Sequence, residues 1–323
     1  YGSNEKLTFD LKTNSSIPVT NGNISISVYF KDNGEWVRNY TCLSGEGWIP
    51  DLPVGSYIAF FDTEYAEFQK INRTITITVP EHTFWFLNYT INGNDNPVIE
   101  LSHDFYFDPA YDAAFVNGIV INRPVTIKGN GNAIDAKRQA RIFYVQSANA
   151  VLENLTLKNA HSNSEGGAVY FNGNGNVTNC NFTDNSARDG GAVYFYGGGS
   201  VSNCNFTNNK VTGYYARGGA VYFTGASNVT NCNFTGNNAT TGSAIYFYST
   251  SATKTVSNSR FLNNRANAEA LEITKNDNNI TITFTGGNNL LNAIYSSNDE
   301  EVTFTNVTYW GANGITTVSA TMS

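Results

Sequence analysis

Three histidines and four cysteines are all that 323 residues offer to a nucleophile–base pair or a soft metal. His82, His103 and His161 stand apart, and no nucleophile–base motif surrounds them. Asp104, Asp108 and Asp112 cluster in one short segment. Cleaving a polysaccharide needs two or three carboxylates held together, or acidic calcium ligands beside a basic residue. This cluster reads instead as turn chemistry, in which aspartates bond back to nearby backbone. No Gly-Gly-x-Gly-x-Asp calcium repeat occurs. Cys180, Cys204 and Cys232 recur at one repeat position and read as small buried core thiols. On stacked strands about 4.8 Å apart, one adjacent pair could reach disulfide distance. A metal site needs mixed ligand directions and a histidine in register, so no metal and no cofactor is expected.

The residues best suited to binding are tyrosines. Tyr170, Tyr194, Tyr222 and Tyr246 recur in copies of Gly-Gly-Ala-Val-Tyr-Phe, with Tyr196 and Tyr248 beside them. Tyrosines on successive strands would form a flat aromatic stripe, and rings with a polar tip suit sugars or a partner protein. The same series could serve only to stabilise the sheet through same-face contacts. The segment Val211 to Arg217, containing Tyr214 and Tyr215, lengthens one repeat by four residues. Insertions of this kind emerge as loops on one face, often the binding face. Arg217 occupies the position of Glu165 and Asp189 in neighbouring copies, which also fits a solvated charge ladder of little energetic weight.

What must position these side chains is a solenoid. Ala168, Ala192, Ala220 and Ala244 lie 24, 28 and 24 residues apart, and a second phrase, Asn-Val-Thr-Asn-Cys-Asn-Phe-Thr, alternates with the first. A fixed period in this range means repeats that bury their apolar faces only against neighbours. Strand-like phrases split by Gly and Asn turns trace a coil with three short faces, which is a parallel β-helix. Val169/Phe171 and their equivalents should point in and the tyrosines out. The guide is Ala270-Leu271-Glu272-Ile273, taken as a degenerate copy, whose Glu272 would not be tolerated in a dry core. Cys180/Phe182 and their equivalents should also point in, and Asn181, Asn205 and Asn233 out. Two corner series, Asn179/203/231/258 and Asn185/209/237/264, suit amide ladders and left-handed corner backbone.

Residues 1–80 lack the repeat and alternate in short strands separated by turn signals, as in an immunoglobulin-like β-sandwich. Pro80 is the natural boundary, leaving 81–323 as the β-helix. Residues 83–93 read as a capping helix, with Thr83 as N-cap and Phe84, Leu87 and Ile91 on one face. The formal charge of −7 offers no basic stripe for nucleic acid or anionic membrane. No apolar run approaches the ~18 residues of a membrane span. The opening Tyr1-Gly2-Ser3 shows no signal peptide, so any export signal is expected to have been removed or to lie outside this segment.

The pairing of Gly-Gly-Ala-Val-Tyr-Phe with Asn-Cys-x-Phe-x-x-Asn resembles the right-handed β-helix repeats of polymorphic outer-membrane and autotransporter-like proteins. The fuller resemblance is to adhesin-like cell-surface proteins of methanogenic archaea, carried by the repeats and by Lys128-Gly129-Asn130-Gly131-Asn132-Ala133-Ile134-Asp135. The segment Asp51–Tyr57 followed by Ile75–Val79 is similar to immunoglobulin-like repeats of surface proteins. The resemblance implies a non-enzymatic extracellular adhesin, a monomeric module of a longer, glycosylated surface chain that contacts surface glycans or proteins of other cells. It supplies no catalytic residues. Sequons such as those at Asn88, Asn154 and Asn205 fit an exported glycoprotein. A polysaccharide lyase or hydrolase, or a structural spacer, are the other expectations.

Overall fold

The computed structural model describes residues 81–265, apart from 148, 214 and 249–252, together with the backbone of further strands between 6 and 77 and between 265 and 322. The chain divides into two units, Tyr1–Pro80 and Glu81–Ser323. In the first, an antiparallel sheet runs in the order Trp36–Leu43, Asn23–Phe30, Gly55–Thr63, Ile71–Ile77. Lys6–Phe9 pairs separately with Gly45–Trp48, also antiparallel. The side chains of this unit lie outside the described residues.

The second unit opens with the expected helix, Phe84–Asn92. Thr83 is extended, and its Oγ1 accepts from the Phe86 N–H at 3.3 Å. Phe84, Leu87 and Ile91 are fully buried. Two more of the helix's orphan donors reach Asp112, whose carboxylate accepts from the Phe84 N–H (3.0 Å) and the Trp85 N–H (2.7 Å). Asp108 Oδ1 accepts from Ala110 N–H and Asp104 Oδ1 from Ala133 N–H. The aspartate cluster is therefore turn and cap chemistry, with Asp112 reaching back 28 residues to Phe84 and Asp104 forward 29 to Ala133.

Beyond the helix the chain winds into a parallel β-helix. One complete coil passes through Gly175–Thr178, Asn181–Thr183, Ser186–Ala187 and Val193–Phe195. Each strand pairs in parallel with its counterpart one coil on: Val177 with Val201, Phe182 with Phe206, Ser186 with Lys210, Tyr194 with Tyr222. Three sheets result, one of them carrying two rows separated by an asparagine corner. The row through Ser186–Ala187 has no apolar alternation, being only two residues long, and so left no strand pattern to read.

Alternation fixes the interior. Phe171, Phe195, Phe223 and Phe247 stack with ring centroids 4.7, 4.8 and 5.5 Å apart. Phe182, Phe206, Phe234 and Phe261 stack at 4.9, 4.8 and 4.9 Å. With Val177, Val201, Val229, Val256 and the three cysteines they form one continuous core. Each such ring contributes roughly 1.5–3 kcal/mol of burial, and only because the coil above supplies the other wall.

The corners differ from expectation in one respect. Asn179, Asn203, Asn231 and Asn258 do take left-handed backbone, with φ from 48° to 56°. In the other corner the left-handed residue is one place earlier, at Asp184, Asn208, Gly236 and Asn263. That shift turns Asn185, Asn209, Asn237 and Asn264 inward. Each of the first three passes its Nδ2 to the next coil's Oδ1 at 2.9–3.0 Å, and all four donate to a carbonyl of the coil before. The Gly-Gly pairs have separate reasons. Gly190 is left-handed (φ 62°), while a Cβ on Gly191 would lie 2.2 Å from the Gly219 carbonyl oxygen one coil on.

The last coil is a correction. Leu271–Asn276 folds back as an antiparallel pair with Asn279–Phe284. The rung after Tyr246 is Ile294–Ser296, in which Tyr295 pairs with Tyr246. Val302–Gly311 then extends both rows of the large sheet and pairs with Gly314–Met322. Among the described residues no helix is long and apolar enough to cross a membrane.

Candidate binding face

The tyrosine row is built by Gly-Gly corners that aim Val193 inward, Tyr194 outward and Phe195 inward, and by identical register in the coils on either side. Tyr144, Tyr170, Tyr194, Tyr222 and Tyr246 stack with centroids 5.2, 5.3, 4.6 and 4.9 Å apart. Tyr170, Tyr194, Tyr222 and Tyr246 form a cluster of their own, separate from the core inside the tube. Their direction is as expected. Their exposure is not: Tyr194 is 9 %, Tyr222 3 % and Tyr246 6 % exposed. Rings at this spacing admit no water between them, and arginines cover what remains. The Arg141 guanidinium lies 5.6 and 5.7 Å from the Tyr144 and Tyr170 ring centres, and that of Arg217 5.3 and 5.4 Å from Tyr222 and Tyr246. Burial pushes the Tyr194 and Tyr222 hydroxyls above the ordinary phenol range.

Arg217 is held by Asp189. Oδ1 accepts from the Arg217 backbone N–H (3.0 Å) and Nε (3.2 Å), and Oδ2 from Nη2 (2.9 Å). Burial alone would lower the Arg217 pKa, but the bonds and charge of Asp189 overcome this and raise it. Glu165, Asp189, Arg217 and Thr241 follow one another in parallel bridges, and Glu165 also pairs with Arg188. The expected ladder exists, yet the Asp189 side chain is only 4 % exposed, so this rung is desolvated rather than solvated. Arg141, which no repeat position announces, is bracketed by the Gly166, Asn117 and Glu165 carbonyls and by the Ser162 and Ser164 hydroxyls, at 2.8–3.0 Å.

What this face offers to solvent is a rim. Tyr196 (60 %), Tyr248 (46 %) and Tyr215 (78 %) are exposed, and the Tyr248 ring lies 6.5 Å from that of Tyr222. Val211 and Ala216 pack with Ala239 to anchor the insertion that carries Tyr215. Tyr214 lies outside the described residues. On the neighbouring face Asn181, Asn205 and Asn233 form an exposed amide ladder with 2.8 Å bonds.

Stacking also joins residues that the sequence kept apart. His161 Nδ1 sits 3.0 Å from Ser186 Oγ and its Nε2 3.2 Å from Asn163 Oδ1. The third group is an amide, not a carboxylate, and Ser186 is buried, so the arrangement stitches two coils together. Cys180, Cys204 and Cys232 are free, fully buried thiols, and burial pushes the Cys204 thiol up. Among the described residues no cluster of His, Cys, Asp or Glu could hold a metal ion.

The family described as right handed beta helix region matches residues 117–289, more than half of the chain. The chain belongs to this family. Comparison with curated proteins and with solved structures finds no match. Right-handed β-helices occur in adhesins and in polysaccharide lyases and hydrolases, so membership gives the coil and its hand, and the activity must be argued from the surface.

Proposed function

We propose that this right-handed β-helix is part of a non-enzymatic extracellular adhesin, with an immunoglobulin-like module in residues 1–80, and that its tyrosine face contacts glycans or proteins on other cells. The carrying observation is the aromatic rim of Tyr196, Tyr215 and Tyr248, exposed above a ladder whose rings and arginines are locked in place. A rigid aromatic loses little conformational freedom on binding, which favours weak contacts repeated along a rod. The buried Tyr194, Tyr222 and Tyr246, with the half-buried Tyr170, then act as a foundation, and the contact residues are the rim and Arg217. Expression of the full chain with Tyr196→Ser, Tyr215→Ser and Tyr248→Ser tests this in a whole-cell attachment assay. Attachment should fall at least severalfold with the circular dichroism spectrum unchanged. Equal attachment by both proteins rejects the face as the contact surface.

A further inference from the structure

A solenoid's terminal unit ordinarily turns a polar face to water. The cap of this coil does not. Tyr89 is 58 % exposed, His82 and Tyr106 are exposed, and Trp85, Phe86 and His103 are half-buried beside them. Their rings form one continuous arc. From Trp85 it passes to Tyr89 (6.0 Å between centroids), Phe86 (6.2 Å), His103 (6.4 Å), His82 (4.5 Å) and Tyr106 (6.2 Å). Helical periodicity puts Trp85 and Tyr89 on the side of Phe84–Asn92 opposite the buried Phe84, Leu87 and Ile91.

Charge, geometry and tautomer say what this arc accepts. Residues 81–112 hold six carboxylates and neither lysine nor arginine. Four of the six, Glu81, Asp95, Glu100 and Asp104, are exposed, and Glu100 meets Lys128 of the next coil at 3.9 Å. One end of the arc already carries a cation: Lys137 sits over the Tyr106 ring, its Nζ 5.9 Å from the centre. His82 Nδ1 and His103 Nδ1 lie 2.8 and 3.1 Å from one atom, the Asp104 carbonyl oxygen. A carbonyl only accepts, so both neutral rings carry their proton on Nδ1 and keep Nε2 as an acceptor. Exposed ring faces, imidazole acceptors and surplus negative charge together suit a flat cation that stacks and donates. That group is a guanidinium.

We infer that the outer surface of the cap docks an arginine-rich segment of a partner protein. The guanidinium groups stack on Trp85, Tyr89 and Phe86 and donate to the two histidines. An acidic segment meets like charge there, and an apolar one leaves the surrounding carboxylates without a counter-ion. The surface belongs to the cap and not to the tyrosine rim, so it stands or falls independently of the adhesin reading.

The test is fluorescence-anisotropy titration of the full chain into two labelled short peptides, one alternating arginine with glycine and one alternating glutamate with glycine. The arginine peptide should bind and the glutamate peptide should not. A chain of net charge −7 also draws cations without specificity, so the deciding variants leave the charge alone. Trp85→Ala/Tyr89→Ala should weaken arginine-peptide binding about tenfold, the loss of two cation–ring contacts, with the circular dichroism spectrum unchanged. Tyr89→Ala by itself, at the most exposed ring of the arc, should weaken it about threefold and decides the matter if the double variant does not fold. The rim variant Tyr196→Ser/Tyr215→Ser/Tyr248→Ser should bind the peptide as the parent does. Failure of the arginine peptide to bind, equal binding of the glutamate peptide, undiminished binding by the folded cap variants, or loss of binding in the rim variant overturns the proposal.

Discussion

Replacing Asn209 by alanine should be among the most damaging single changes on this chain, although it removes only a small polar group. Asn209 Oδ1 accepts from the Asn185 backbone N–H (3.1 Å) and from Asn185 Nδ2 (3.0 Å), and Asn209 Nδ2 donates to the Phe182 carbonyl (3.0 Å) and to Asn237 Oδ1 (3.0 Å). Asn237 Oδ1 keeps the Asn209 backbone N–H (2.9 Å) after the change. Two buried donors do not recover, the Asn185 N–H and one Asn185 amide hydrogen, whereas the Phe182 carbonyl stays in the parallel ladder of its strand. An orphaned buried group costs about 1–3 kcal/mol, so the two together cost about 2–6 kcal/mol. Asn205 is the internal control. It makes the same kind of coil-to-coil amide bonds at 2.8 Å, but in solvent, where water replaces them. Asn205→Ala should cost below about 1 kcal/mol. Urea unfolding followed by circular dichroism compares the two midpoints on one chain. Near-equal midpoints would show that the inner ladder is not sealed from water, and the reasoning about buried polar groups in this coil would fail.

Tyr222→Ser should destabilise by about 2–4 kcal/mol, because it opens a ring-sized gap in a buried stack, whereas Tyr196→Ser should lie within about 0.5 kcal/mol of the parent; thermal melts separate them. The alkaline limb follows from the ladder. The Tyr194 and Tyr222 pKa values are raised in the folded state by burial, so the folded chain holds protons that the unfolded chain releases. Stability is therefore complete below the unfolded phenol pKa of about 10 and declines as pH rises above it; a melting temperature that stays level through that range contradicts the burial. Cys180, Cys204 and Cys232 should resist thiol reagents in the native protein and react once it is unfolded, as mass-spectrometric mapping of alkylation would show; rapid native labelling would count against the closed core.

Much of this was legible because a solenoid writes its contacts into the period of its sequence. Once Phe171, Phe195 and Phe223 stand at equivalent positions, the parallel register and the inward direction follow. The short row through Ser186 was not legible, since two residues cannot display alternation. Nor was the burial of Tyr194 and Tyr222. Alternation gives a side chain's direction, while exposure depends on ring spacing and on Arg217, whose approach to the Tyr222 ring no alternation displays. The copy assigned to Ala270–Ile273 misled because Asn279–Phe284, an equally good strand, follows within hairpin reach and competes for it. Glu272 led to the right inward face from the wrong rung.

The central claim is that equivalent residues of successive coils lie directly over one another, and engineered cross-links measure it most directly. Thr183 pairs with Thr207 and Thr207 with Thr235. Cysteines at 183 and 207, one step of about 4.8 Å apart, fall within disulfide reach; those at 183 and 235, two steps apart, fall outside it. Mild oxidation of the folded chain should cross-link the first pair and leave the second as thiols. A 183–235 bridge, or none at 183–207, would contradict the stacked coil and every surface built on it.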